Sequence, residues 1–369
     1  MALVNTLDPI DATRRLQRWL TSVGAADAIV SSLEIPPAAG FSMTTALFHA
    51  VWTQDGQPID ADLVARIAPS GEGLFEFADL QREAAILNAL ATEDRIRTPK
   101  VLWYEPDPQT FGAPFLVMER AFGRVPSDDP PYPLSGWVVD LTPEQRAKLY
   151  PAIVEAMAAV HDVDWASHGI DGLADPGEPE PGIQREWAKL ERAYEWTHRG
   201  DTSPTIDAAL DALRDRMPDR EPLVLNWGDA RLGNVIFDPE TIEIQALLDW
   251  EMAAIASPEM DLGWFLFFTR YYTEGIGAPR LAGMQNRGEV IALYEKFSGR
   301  NVQNADFYEA FAALRTSVVL LRIGRLMIQA GVIPPDSTMP INNVGSQILA
   351  RLLGLPAPEG QSASFVDSR

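Results

Sequence analysis

Leu223-Val224-Leu225-Asn226-Trp227-Gly228-Asp229-Ala230-Arg231-Leu232-Gly233-Asn234-Val235-Ile236-Phe237, followed by Ala246-Leu247-Leu248-Asp249-Trp250-Glu251, is the stretch on which the fold turns. Short apolar runs around Val224, Val235 and Leu247 have strand character. A polar loop separates the first two, and Asp238-Pro239 marks a turn before the third. The order is therefore strand, loop, strand, turn, strand, with an acid at the end of the last strand. Asp229, Asn234 and Asp249 can then converge at the mouths of one small strand cluster.

Three such side chains suit phosphoryl transfer. That chemistry asks little covalent help of a protein; it needs a carboxylate to orient the attacking hydroxyl and oxygen ligands to hold Mg²⁺ on a triphosphate. Asp229 and Asn234 stand in D-x-x-x-x-N spacing, that of the base and metal-binding Asn in a kinase catalytic loop. Asp249 stands where the Asp of D-F-G would supply the second metal ligand. The stretch offers neither imidazole nor thiolate, so zinc is disfavoured.

These residues resemble the aminoglycoside phosphotransferase and choline kinase-like family, whose signature runs H-G-D-x-x-x-x-N, an apolar strand, then an acid in D-W-E or D-F form. Trp227-Gly228-Asp229 stands where that family has H-G-D. Pro258-Glu259-Met260-Asp261-Leu262-Gly263-Trp264 is similar to its P-x-x-D-L-x-W continuation, and the pattern extends upstream over Gly40 to Glu119. The spelling is nearest to the branch found beside acyl-CoA dehydrogenase domains. The resemblance implies a two-lobed, protein-kinase-like α+β fold with ATP between the lobes and its adenine edge on the backbone of Val117, Met118 and Glu119. It implies further that Asn234 and Asp249 hold Mg²⁺. Asp229 then orients and deprotonates a hydroxyl of a small-molecule substrate.

Three departures from the family pattern stand out. Trp227 replaces the histidine and reads as packing, because an indole mainly supplies contact area. No lysine precedes Lys100, so the phosphate-holding lysine is missing. Arg66, on the matching strand, and Glu83, on the next helix, offer a guanidinium–carboxylate pair in its place, although Arg and Lys differ in geometry. The bland alternative is a surface ion pair. Finally, no G-x-G-x-x-G loop exists; Gly40-Phe41-Ser42-Met43-Thr44-Thr45 could present amides and the Ser42 and Thr44 hydroxyls to phosphate, or be an ordinary loop. These departures keep open a second function, a catalytically weakened nucleotide-binding or regulatory module.

Outward from the motif, residues 1–119 read as a small lobe: a strand over Thr44 to Trp52, a hairpin turn at Asp55-Gly56, a strand at Leu63 to Ile67, a helix from Gln81 to Leu90, and strands at Val101 to Tyr104 and Phe115 to Met118. Residues 120–355 read as a helical lobe, in which Arg124 to Trp137 looks like a connection or irregular surface segment. Leu149, Ile153, Met157 and Val160 mark one buried helix face ending near His161. Residues 356–369 read as a disordered tail.

His161 reads as a helix-end residue favoured by the macrodipole, and Trp264 to Phe268 as helix core. The scattered histidines support neither a metal site nor a catalytic triad. With 30 basic and 52 acidic residues the net charge is −22, which argues against nucleic-acid binding. There is no cysteine, hence no disulfide scaffold or thiolate nucleophile. No apolar run reaches the roughly 18 residues of a membrane span, and no signal-peptide core is evident; a cytoplasmic protein is expected. Substrate choice, assigned to residues 186–198 and 270–283, carries no readable code.

Overall fold

The computed structural model describes residues 7–36, 42–76, 79–170, 178–198 and 203–360. The chain divides into two compact units, residues 1–92 with 98–121, and residues 93–97 with 122–369.

The first unit is built on a five-stranded antiparallel sheet in the order β1-β2-β3-β5-β4. Its strands are β1 (Ala26–Glu34), β2 (Thr44–Gln54), β3 (Gln57–Ile67), β4 (Val101–Glu105) and β5 (Phe115–Glu119), with helices α1 (Pro9–Ser22) and α2 (Leu80–Leu90). Strand β2 alternates strictly: Thr44, Ala46, Phe48, Ala50 and Trp52 are buried, the period expected of a sheet with one face in the core. The β2–β3 hairpin turns at Asp55 and Gly56, with φ of 53° and 76°. Positive φ at both central residues is the primed turn whose twist matches the strands. Trp19, Trp52, Trp103 and Phe115 close the core edge to face, at centroid distances of 4.7–6.0 Å.

Helix α1 and strand β1 are additions to the sequence expectation. β1 is an edge strand in which Ile29, Val30 and Leu33 do not alternate with the polar residues, and it is broken by Asp27 at φ 54° and by register shifts, so little of its pairing is written in hydrophobic pattern. Residues 93–97 leave the first unit because they are tied to the second: Leu247 N–H donates to the Arg97 carbonyl at 2.8 Å, and the Arg97 guanidinium to the Ile244 carbonyl at 3.0 Å.

The second unit is helical around two short ribbons. Its helices are α3 (Trp137–Asp140), α4 (Pro143–His161), α5 (Ile183–His198), α6 (Pro204–Arg214), α7 (Pro258–Arg270), α8 (Arg287–Ser298), α9 (Ala305–Gln329) and α10 (Val344–Leu353). One ribbon pairs β6 (Val224–Asn226) with β9 (Ala254–Ala256); the other pairs β7 (Val235–Phe237) with β8 (Ile244–Leu247). Helix α4 starts at a capping box of Thr142 and Gln145 and buries Leu149, Ile153, Met157 and Val160 completely. Helices α7 and α9 press together at Gly263, where a Cβ would fall 2.4 Å from the Tyr308 carbonyl carbon.

Two expectations need correction. Residues 124–137 do not form a mere surface connection: the Arg124 and Phe237 amides and carbonyls exchange hydrogen bonds of 2.8 and 2.9 Å, fastening the segment to β7. The tail begins later than residue 356, since Asn342 and Gln347 donate to the Glu359 and Pro358 carbonyls at 2.9 and 3.0 Å. Residues 361–369, the proposed phosphate-loop residues Gly40 and Phe41, and part of the acidic loop before α5 lie outside the described residues.

Candidate active site

The loop between β6 and β7 carries Asp229 and Asn234, and its shape is set by buried groups behind it. Asp261, in the first turn of α7 and 1% exposed, receives the Trp227 amide at 2.6 Å and the Gly228 amide at 2.8 Å. His161 completes the support: its Nε2–H donates to Asp261 Oδ2 at 3.2 Å, and the Tyr294 hydroxyl donates to Nδ1 at 2.8 Å, the tautomer this network requires. Burial pushes the Tyr294 hydroxyl up to about 12, so it stays a donor. His161 does end α4, but its role is this internal brace rather than compensation of a helix dipole. The other histidines all pair with acids: His49 with Asp60 and Asp62, His168 with Glu93, His198 with Glu195.

Gly228 turns the chain at φ 92°, and a Cβ there would lie 2.1 Å from the Met252 carbonyl oxygen. The catalytic-type loop thus rests directly on the segment after β8. Gly228→Ala is expected to lower stability by at least about 1–3 kcal/mol from backbone strain alone, read as a shift of the denaturation midpoint; an unshifted midpoint would contradict the close approach. Trp227, fully buried, packs on Trp250 at 5.9 Å and donates its indole N–H to the Leu248 carbonyl at 2.6 Å. Where a histidine is usual, tryptophan joins the loop to the strand that leads into Asp249.

Asn234 and Asp249 are drawn together through the backbone. Leu248 N–H donates to the Asn234 carbonyl at 2.9 Å, while Asn234 Nδ2 donates to the Asp229 carbonyl at 3.0 Å. That second bond fixes the amide and turns Oδ1 away from that contact, as the atom that could take a ligand. Asp249 itself adopts a left-handed conformation, φ 59° and ψ 67°, sparsely populated for residues other than Gly and tolerated best by Asp and Asn. A strained acid directly after a strand is the kind of outlier that clusters at functional positions. The two donors offered, an amide oxygen and a carboxylate, fit Mg²⁺, which keeps its waters and takes few protein ligands. Among the described residues no cluster of three His, Cys, Asp or Glu could cage a softer metal.

Asp229 is held from two sides. Trp264 Nε1 donates to Oδ1 at 2.7 Å, and Arg231 Nε to Oδ1 and Oδ2 at 3.1 and 3.3 Å. Arg231 is itself clamped by Asp128, which also accepts the Tyr272 hydroxyl at 2.6 Å, and lies over the Phe268 ring at 5.5 Å. Burial opposes the Arg231 charge, but Asp128 and Asp229 hold it protonated well above its ordinary range. Desolvation and the Asp128 charge keep Tyr272 protonated too.

Asp128, Arg231, Tyr272, Trp264 and Phe268 escaped the sequence reading. Trp264, Phe265, Leu266 and Phe267 are helix core as expected, with Phe268 packed against it, yet Trp264 also bonds Asp229 and Phe268 also lies under Arg231. Nothing in residues 124–137 signals that Asp128 reaches residue 231.

In the first unit Arg66 and Glu83 pair at 3.2 Å, with side chains 11% and 1% exposed. This is a buried ion pair, not the exposed one weighed as the alternative. The Thr44 hydroxyl is buried and lacks a hydrogen-bond partner among the described residues, and Ser42 precedes β2 half-buried. Val117 and Met118 are buried within β5, whose end is exposed at Glu119. The Glu119 and Arg120 amides already donate to Lys100 and Asp62 carbonyls at 2.9 and 3.0 Å.

Most of the chain is similar in fold to solved structures of aminoglycoside phosphotransferases. A Ralstonia eutropha protein assigned to the aminoglycoside phosphotransferases aligns with a TM-score of 0.65 and 23% identity, over 92% of this chain and 95% of that one. A mutant of an aminoglycoside phosphotransferase in ternary complex with AMP-PNP and hygromycin B aligns at 0.56 and 16%, over 91% and 98%. The α+β, protein-kinase-like fold expected from the sequence is therefore the fold present. Among curated proteins, mouse acyl-CoA dehydrogenase family member 10 is 29% identical over 71% of this chain and 24% of its own length. The aminoglycoside 3'-phosphotransferase of Streptomyces ribosidificus is 30% identical over 54% and 69%. The chain spans about a quarter of the length of the mouse relative. Residues 39–299, well over half of the sequence, match the model of the phosphotransferase enzyme family, and to that family this chain belongs.

Proposed function

We propose that this protein transfers the γ-phosphate of Mg²⁺-bound ATP to a hydroxyl of a small molecule. The observation that carries the reading is an Asp229 carboxylate oriented by Trp264 and Arg231, with the Asn234 amide bonded to the Asp229 main-chain carbonyl and the Asn234 carbonyl bonded to Leu248, the residue before Asp249. A carboxylate offers about four lone-pair sites. Trp264 and Arg231 occupy both sites of Oδ1 and one of Oδ2, leaving Oδ2 to accept the substrate hydroxyl. As the hydroxyl oxygen of the substrate bonds to the γ-phosphorus and the bond to the ADP oxygen breaks, the hydroxyl proton passes to Asp229 Oδ2. Asn234 Oδ1 and the Asp249 carboxylate would hold Mg²⁺, which when bound neutralises phosphate charge.

For the first unit the nucleotide contacts proposed are those that the family resemblance implies. Arg66, fixed by Glu83, takes the place of the family lysine at the α- and β-phosphates, with Ser42 and Thr44 beside it. The adenine edge meets the backbone at Val117 to Glu119.

Titration calorimetry with Mg-ATP, followed by an ADP-release screen over hydroxyl compounds, tests the reading. Turnover should require Mg²⁺ and vanish in Asp249→Ala. Release that ignores both Mg²⁺ and this substitution would overturn it. Binding of Mg-ATP without transfer to any acceptor would favour a nucleotide-binding module that has lost catalysis, the role to which Arg66 in place of lysine also points.

A further inference from the structure

Beside the indole that holds Asp229 lies a cation with no carboxylate against it. Arg315, on α9, stacks its guanidinium over the Trp264 ring at 5.3 Å. The same indole donates its N–H to Asp229 Oδ1 at 2.7 Å. One side chain therefore spaces a positive group from the carboxylate proposed to receive the substrate proton.

Other guanidinium groups of this unit sit against carboxylates: Arg231 on Asp128 and Asp229, Arg270 and Arg287 on Glu309, Arg300 on Asp162, Arg185 on Glu178. Arg315 makes no ion pair within 4 Å and no hydrogen bond among the described residues. The negative groups that act on it, Glu186, Asp229 and Asp261, do so at longer range. Each is otherwise engaged: Glu186 with Lys189 at 3.1 Å, Asp229 with Arg231 and Trp264, Asp261 with the loop amides. Burial outweighs their support and pulls the Arg315 pKa below its ordinary value.

In a chain with 52 acids to 30 bases, a half-buried arginine without a carboxylate is a costly arrangement. Its five donors form a planar fork that matches a carboxylate or phosphate. Indole stacking holds that fork in place.

We propose that Arg315 binds an oxyanion, carboxylate or phosphate, carried by the acceptor alcohol, so that the substrate is a hydroxylated anion rather than a cationic amino alcohol. This rests on Asp229 being the group that receives the hydroxyl. Trp264 then sets the spacing between the hydroxyl on Asp229 and the anion on Arg315. The cationic amines that net charge alone would attract are repelled where the chemistry takes place. The helix α5 segment from Glu186 onward enters substrate choice through its effect on Arg315.

Calorimetric titration of the ATP-free protein tests this independently of turnover. The probes are 3-hydroxybutyrate for a carboxylate source, glycerol 3-phosphate for a phosphate source, and choline as the cation. One or both anions should bind and choline should not; the anion that binds more tightly identifies the source. A hydrogen-bonded charge contact of this kind predicts weakening of about tenfold or more in Arg315→Gln. Arg315→Lys, which keeps charge but loses the fork, should fall between, and serves alone should the glutamine variant fail to fold. Absence of anion binding by the wild type, equal binding by the Lys or Gln variants, or preference for choline would each overturn the proposal. Loss of ATP transfer with anion binding intact would sink the kinase reading and leave the Arg315 site standing.

Discussion

Asp229→Asn is expected to reduce kcat by about 10²–10⁴-fold, the usual contribution of a positioned general base, while the protein stays folded. The substitution keeps the shape of the side chain and an oxygen to accept Trp264 Nε1–H. It removes the charge and the lone pair on Oδ2 that the substrate hydroxyl needs. Arg231 is not abandoned, because Asp128 still neutralises it. The loop is also held from behind by Asp261 rather than by Asp229. Binding of Mg-ATP should therefore be little altered, and the thermal midpoint should move by only a few degrees. Steady-state ADP release with an acceptor found by screening, set beside calorimetry with Mg-ATP, separates these quantities. An asparagine variant with wild-type kcat would remove Asp229 from the chemistry.

Asp261→Ala is expected to have the largest effect on stability. The carboxylate is buried and receives three donors: the Trp227 and Gly228 amides and His161 Nε2. Deleting it leaves all three in the interior without an acceptor, and each buried unsatisfied group costs about 1–3 kcal/mol. Shortfall of packing and partial relaxation make a net loss of about 3–5 kcal/mol the reasonable expectation. For a domain of this size that corresponds to a drop of roughly 10 °C in midpoint. Activity should fall further than the folded fraction does, because the freed loop carries Asp229 and Asn234. Circular dichroism melting gives the first quantity, and turnover at a temperature where the variant is fully folded gives the second. A melting point within about 2 °C of wild type would show that the loop is shaped by something else.

The two outcomes differ in origin. Asp229 lies half-buried at the loop surface, where Arg231 has Asp128 as a second carboxylate; Asp261 lies in the core, where it is the acceptor of the Trp227 and Gly228 amides. The family position that looks most chemical is thus replaceable for folding. The position that looks like a downstream echo of the motif is structural.

The linear sequence contained the residues of the site and the elements that present them. Period-two burial in Thr44 to Trp52, the Asp55-Gly56 turn, the α4 stripe and the short strands around residues 224, 235 and 247 all follow from local pattern, because alternation and turn chemistry act between near neighbours. The spacing of Asp229 and Asn234 is likewise local, five residues within one loop. Even the Arg66–Glu83 pair follows from placing a strand before a helix.

What tertiary structure alone decided were the contacts across long stretches of chain, where neither periodicity nor spacing carries information. Asp128 meets Arg231 and Tyr272 from over a hundred residues away, His161 reaches Asp261, and Trp264 links Asp229 to Arg315 on a separate helix. Strand β1 was hidden for the same reason: an edge strand whose apolar residues do not alternate is held by backbone pairing to β2, and backbone hydrogen bonds have no sequence signature. The residue types of the proposed reaction are therefore written in the chain. Their orientation, the brace behind them and the unneutralised guanidinium beside them arose only when buried charges had to find partners in three dimensions.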